Sequence, residues 1–317
     1  MRKALVVGMD YYENINPLFG CVNDAYAVKA VLDRHSDGTK NFDVNIEVAT
    51  GPKTCIERKE LKNKVEELFR DKSDIALFYF SGHGYIESTG GYLITSECKD
   101  GDDGLPMNEL LQIANNSPAR NKIIILDCCH AGIAGNNAQH EDKAVLKEGT
   151  TILTASSAEQ YAIEINGSGV FTTLFIDAMN GSASNLVGDI TPGSIYAHID
   201  QSLGSWEQRP IFKTNVTTFT TLRKVQPPIS LSDLKRLTEL FPIKGQEFKL
   251  DPSYEPESEN PDDDNMAKFK LLQKYNRINL VVPVDAEHMY FAAMESKSCK
   301  LTILGEHYWN LISKERI

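Results

Sequence analysis

The chain has 317 residues, 41% of them hydrophobic and 24% charged, with a formal net charge of −11. These proportions suit a globular protein with one core of about 200–250 residues and a smaller unit. They exclude a membrane-spanning protein, because no apolar run approaches the roughly 18 residues a span needs, and they argue against an extended nucleic-acid footprint on the main body.

In chain order, the apolar run Ala4-Leu5-Val6-Val7-Gly8 stops at Met9-Asp10. It is too short for a signal peptide and reads as a first strand over 3–8. Further strands are predicted at 45–50, 74–80, 91–95, 122–127 and 150–155, with amphipathic helices at 22–35, 55–71 and 107–115 between them. Helices at 171–180 and 194–203 and a closing strand pair at 210–213 and 217–222 complete residues 1–224. Alternation of this kind predicts an α/β fold with helices on both faces of a mostly parallel sheet. Ligands of such sheets sit beyond the carboxyl ends of the strands.

From residue 225 the character changes. Residues 225–264 read as a linker opened by Pro227-Pro228, with one short helix at 232–240. Its stretch 251–264 holds seven acids, three prolines and no Lys or Arg, the composition of a flexible tether. Residues 265–317 carry eight basic residues against five acids. They predict a small unit with helices at 266–276, 286–295 and 304–314 and strands at 279–282, stopped by Pro283, and 300–303. Leu301-Thr302 and Gly305 leading into an aromatic helix look like the end of a winged-helix unit.

Chemistry concentrates at two motifs. Ile75-Ala76-Leu77-Phe78-Tyr79-Phe80 leads into Ser81-Gly82-His83-Gly84, and Ile123-Ile124-Ile125-Leu126 into Asp127-Cys128-Cys129-His130-Ala131-Gly132. Two buried strands ending this way place an imidazole and a thiol at one sheet edge, the arrangement of a Cys/His nucleophilic site. Strand alternation puts Asp127 and Cys129 on one face and Cys128 on the other with Leu126 and Ile124. Cys129 is therefore the expected nucleophile, His83 its acid–base partner, Cys128 a packed hydrophobe and His130 a structural residue. The six cysteines are scattered, in no metal-ligand spacing, and predict a reducing, cytoplasmic setting.

These motifs, with His83 and Cys129 set 46 positions apart, resemble the caspase-like cysteine peptidases and specifically the metacaspases. The resemblance covers residues 1–222 and implies a caspase-like three-layer sandwich around a mostly parallel six-stranded sheet. It also implies an oxyanion hole made by the backbone N–H groups of Gly84 and Cys129. Gly20-Cys21-Val22-Asn23-Asp24 is similar to another metacaspase motif, so Asp24, Ser81 and Asp127 are carried over as the lining of the S1 pocket. Two carboxylates in a narrow pocket call for a cationic P1 residue, Arg or Lys. No Arg stands at the matching turn, where true caspases place one to take aspartate.

The resemblance implies less sharply that Thr154–Gln160 borders the cleft and that Asp100, Asp102 and Asp103 are candidate calcium ligands, although their spacing is not that of an EF-hand. Lys143 and Lys147, in the polar stretch 136–148, are candidate self-cleavage positions. The expectation is a cysteine endopeptidase acting on proteins after Arg or Lys in a stress, defence or cell-death pathway, by activating a downstream effector. It needs no cofactor for its chemistry. The competing expectation is a caspase-fold regulatory protein whose C-terminal unit binds a protein partner or DNA.

Overall fold

Four strands carry apolar residues on both faces and form the interior of one sheet. They are β1 (Arg2–Met9), β3 (Ile75–Ser81), β4 (Asn121–Asp127) and β5 (Thr150–Thr154), buried almost throughout. The less buried β2 (Asp43–Ala49) and β6 (Ile211–Asn215) close its edges. In this computed structural model the order is β6-β5-β4-β3-β1-β2, parallel except for β6. The structure describes residues 1–129, 131, 134, 136–137, 140–156, 164–165, 168–203 and 209–317, with backbone alone at 136–137, 140–144 and 164–165.

Alternation along the strands supplies two cores. Leu5, Val7, Phe78, Phe80, Ile124 and Leu126 pack on one side with Leu61 and Val65 of α2 (Arg58–Arg70) and Leu110 of α3 (Met107–Asn115). Val6, Tyr79, Ile123 and Ile125 pack on the other. Their partners are Val28 of α1 (Cys21–Asp33), Phe171 and Phe175 of α4 (Val170–Asp177), and Ile195 and Ile199 of α5 (Pro192–Ser202). The result is the expected three-layer α/β sandwich. Because four interior strands are parallel, their carboxyl ends share one edge.

Two strand expectations need correction. The predicted strand at 91–95 does not join the main sheet. Gly90, at φ +133°, turns the chain back, so Gly84–Glu87 and Gly90–Leu93 make a hairpin that Leu105–Pro106 extends. The sixth place in the sheet is taken by β6. The predicted strand at 217–222 is not one; instead Arg223–Lys224 pairs with Asp189–Ile190.

Residues Met1–Gln226 and Pro227–Ile317 form two compact units. In the second, β7 (Phe248–Lys249), β8 (Val281–Val284) and β9 (Ser298–Leu301) form an antiparallel sheet in the order β7-β9-β8. With it stand α6 (Asp263–Arg277), α7 (Met289–Met294), α8 (Ile303–Ser313) and the short helices Leu231–Lys235 and Leu237–Leu240. Pro283 does not stop β8. The strand lies at the sheet edge, where a missing N–H costs no ladder bond.

The acidic run is not a loose tether. Tyr254 is buried, with its ring 5.9 Å from that of Phe248 and 6.1 Å from that of Phe269. Asp262 caps α6 by accepting the Asn265 N–H, and Asp251 accepts the Ser253 N–H to start the helical turn Pro252–Tyr254. Acids that cap helices order a segment that composition alone reads as repulsive. Among the described residues no helix is long and apolar enough to cross a membrane.

Candidate active site

β3 and β4 end in register, Ser81 opposite Asp127, and the Gly82 N–H donates to the Asp127 carbonyl at 3.3 Å. His83 and Cys129 each follow two residues beyond these ends, on neighbouring turns. Glycine at position 84 makes the approach possible. A Cβ there would sit 2.2 Å from the Cys129 carbonyl oxygen and 3.0 Å from the Cys128 sulfur, so the backbone of the His turn lies directly against the Cys turn.

The two cysteines divide as strand alternation predicts. Cys128 is 1% exposed in the core beneath α2 and α3, and burial pushes its thiol well above the ordinary range. Cys129 is partly exposed. The end of β5 braces their turn: the Ala155 N–H donates to the Leu126 carbonyl at 2.9 Å, and the Ser156 hydroxyl to the Cys128 carbonyl at 3.0 Å.

The loop after β1 orients His83. Its Nε2 lies 2.8 Å from the Asn16 carbonyl oxygen, which can only accept, so Nε2 carries a proton and Nδ1 is left as the basic nitrogen. The Tyr12 hydroxyl accepts the His83 N–H at 2.8 Å, and the two rings lie 4.7 Å apart. Burial raises the Tyr12 phenol well above its ordinary value, keeping it neutral. Neither Tyr12 nor Asn16 belongs to a motif, and sequence reading missed both.

A second cluster lies beside the first. Asp10, just past β1, accepts the Cys21 N–H at 2.9 Å and the Val22 N–H at 3.3 Å, docking the start of α1 at the sheet edge. Asp24 in that first turn is 3% exposed, Ser81 2% and Asp127 5%. The three expected S1 residues are thus brought together: the Ser81 hydroxyl points to Asp24 Oδ2 at 3.5 Å. Residues at the start of α4 complete the cluster. The Gly169 N–H donates to Asp24 Oδ2 at 3.0 Å, and the Thr172 hydroxyl to Asp127 Oδ2 at 2.6 Å. A Cβ on Gly169 would meet Asp127 Oδ2 at 2.4 Å and Asp24 Oδ2 at 3.1 Å, so both carboxylates flank one stretch of backbone.

The remaining expectations fare differently. Asp103 accepts the Lys99 and Asp100 N–H groups at 3.2 and 3.3 Å, which lower its carboxyl and hold the turn at 101–103. Among the described residues no group of three or more His, Cys, Asp or Glu could hold a metal ion, including at Asp100, Asp102 and Asp103. Lys147 is pinned to the end of α3, its N–H donating to Asn115 Oδ1 at 3.0 Å and its Nζ to Asn116 Oδ1 at 2.9 Å. It precedes β5, at the opposite end of the sheet from Cys129. His130, Gly132, the side chain of Lys143 and residues 157–160 lie outside the described residues.

A family model described as caspase domain (Peptidase_C14) matches residues 1–226. Metacaspase-9 of Arabidopsis thaliana is 33% identical over 89 residues, 26% of this chain and 27% of that protein. Metacaspase-1 of Plasmodium berghei (strain Anka) is 32% identical over 89 residues, again 26% of this chain but 15% of its own length. The chain therefore matches well under a third of either relative. Among solved structures, protein GSU0716 from Geobacter sulfurreducens superposes with a TM-score of 0.53 at 15% identity, over 71% of this chain and 100% of that one. Caspase-1 from Spodoptera frugiperda gives a TM-score of 0.50 at 13% identity, over 71% of this chain and 91% of that one. At such identities the likeness is one of fold.

Proposed function

The chain belongs to the caspase domain family, and from that premise we propose that it is a cysteine endopeptidase cleaving proteins after Arg or Lys through Cys129 and His83. The observation that carries this reading is the buried meeting of Asp24, Ser81 and Asp127 beside the two motif turns. Two carboxylates in a low-dielectric recess favour a cation, and the guanidinium fork or an ammonium meets both.

In the proposed mechanism Nδ1 of His83 takes the proton of the Cys129 thiol, and the thiolate attacks the scissile carbonyl. The N–H groups of Gly84 and Cys129 receive the oxyanion, a charge that develops only in the tetrahedral state. The C–N bond breaks as the imidazolium returns its proton to the leaving amine. Water, deprotonated by His83, then releases the acyl group from sulfur.

The same reading places the enzyme in a reducing cytoplasm, where its six described cysteines remain thiols. It assigns a stress, defence or cell-death role on family resemblance alone.

The test is hydrolysis of fluorogenic peptides with Arg, Lys or Asp at P1, with and without calcium. Faster turnover of Arg or Lys peptides is expected, and preference for Asp would overturn the assignment. A second reading, a regulatory protein acting through its C-terminal unit, is favoured by the exposed Tyr290, Phe291 and Met294 on α7. It predicts no turnover of any peptide in the panel.

A further inference from the structure

Behind the S1 carboxylates runs a chain of hydroxyl groups that the proposed mechanism does not use. Tyr79, two residues before Ser81 on the same face of β3, is fully buried, and its hydroxyl lies 2.6 Å from that of Thr172. Thr172, also buried, donates to Asp127 Oδ2 at 2.6 Å. We infer that Thr172 is a positioning residue for substrate selection: backed by Tyr79, its hydroxyl holds the Asp127 carboxylate ionised and aimed for a cationic P1 side chain. This rests on the reading of Asp127 as an S1 residue.

Each hydroxyl has one hydrogen. Thr172 gives its own to Asp127, so Tyr79 must donate to Thr172. Tyr79 has that hydrogen to give, because burial, and then the Asp127 and Asp24 carboxylates, push its phenol well above the ordinary value. The direction Tyr79 to Thr172 to Asp127 therefore ends on an acceptor. A protonated Asp127 could keep this chain only with its proton on Oδ1, and its Oδ2 would then be a weaker acceptor than a carboxylate oxygen. Packing does not explain the hydroxyl, since a valine of the same shape would fill the space.

The setting gives the hydrogen bond work to do. Among the described residues, Tyr79 of β3 and Cys128 feel the Asp127 charge, and Cys21 of α1 and Cys129 stand in the same cluster. Asp24 Oδ2 lies against the same Gly169 backbone as Asp127 Oδ2, and its charge opposes that of Asp127. A hydrogen bond to the charged form works against that repulsion and lowers the pH at which the carboxyl ionises. Substrate binding at neutral pH then meets a carboxylate already formed.

Thr172→Val removes the hydroxyl at constant shape. On an Arg-P1 peptide KM should rise about tenfold or more, the usual weight of a hydrogen bond to a charged group, while kcat changes little. Losing a partner of the charged form raises the Asp127 pKa, so the acid limb of kcat/KM should move to higher pH. Thr172→Ser should restore both values, and Tyr79→Phe should shift them in the same direction by less. Asp127→Asn, the reference, should lose affinity at every pH.

Thermal melts and the rate of Cys129 alkylation by iodoacetamide report whether each variant is folded. If Thr172→Val does not fold, Tyr79→Phe and Thr172→Ser carry the test. A wild type that takes Arg-P1 peptides, with folded variants whose KM and acid limb match it, overturns this inference alone. A wild type that refuses cationic P1 residues overturns the S1 reading beneath it.

Discussion

His83 and Cys129 stand two residues past the ends of their strands, partly exposed, and are placed by backbone contacts: Gly84 against the Cys129 carbonyl, Tyr12 and Asn16 against His83. Ser81 and Asp127, two residues earlier, and Asp24 of α1 are almost closed to water. They are held by side chains and N–H groups from β3, α1 and the start of α4. A nucleophile must reach a carbonyl and so sits where the chain leaves the sheet. On the proposed reading, carboxylates that select a cation gain from low dielectric and are kept inside.

The largest expected effect breaks the exposed half. Cys129→Ala and His83→Ala should each lower kcat/KM by about 10^4-fold or more, as for other catalytic groups acting as a unit, whereas Cys128→Ala should retain most activity. Alkylation sharpens the contrast. The folded chain should label at Cys129 and not at Cys128, whose thiolate burial suppresses. The folded Cys128 pKa lies above its ordinary value of 9.0, so the unfolded chain ionises first, and this residue's contribution to stability is lost as pH rises through that window. Peptide mapping that found Cys128 labelled in the folded state would reverse the assignment of the two thiols.

The next effect breaks the buried half. Gly169→Ala adds a Cβ 2.4 Å from Asp127 Oδ2. Something must move, and a displacement near 1 Å in a positioned site costs about a hundredfold in rate. Arg-P1 kcat/KM should fall by that order while iodoacetamide still labels Cys129 at the wild-type rate. Equal losses in both assays would mean that the two halves are one unit.

Tyr12→Phe tests the brace on His83. It removes an acceptor for a partly buried N–H, a change of about 1 kcal/mol, so kcat should fall about fivefold with KM unmoved. The smallest effect concerns the second unit. A chain ending at Gln226, the boundary of the first compact unit, should fold and hydrolyse small peptides with unchanged kinetics. A truncated chain that is soluble and inactive would show that residues 227–317 complete the site.

Legibility in the sequence follows the same divide. The proposed catalytic pair announces itself locally, an apolar strand followed by His or Cys close to glycine. Asp24 is legible only through a family resemblance, since an acid in a first helical turn is ordinary. Gly169 and Thr172 could not be read, because Phe171 and Phe175 make that segment look like a core helix, and their partners lie more than forty residues earlier in sequence. Asp10 and Tyr12 belong to no motif, and nothing in local pattern ties them to the Cys21 and His83 N–H groups they accept. In the fold, β1, β3 and β4 are evident from continuous apolar runs, whereas β5 offers only Ile152 and Leu153 between threonines. The direction of β6 and the separate hairpin at 84–93 are not evident, since strand pairing is not written in local pattern. The acidic run deceived because composition counts charges and does not see which of them cap helices.

The position of Lys147 has a kinetic consequence. It precedes β5, while Cys129 follows β4 at the other end of a sheet whose strands rise about 3.3 Å per residue, so roughly 20 Å of paired strand separates them. Its flanking carbonyls are bound as well, that of Val145 by Asn115 and that of Leu146 by Asn215. A folded molecule therefore cannot bring its own Lys147 peptide to its own sulfur. Any cut there is made by one molecule on another. Its rate would rise with the square of protein concentration and vanish on dilution, whereas a cut nearer the Cys129 turn could be first order.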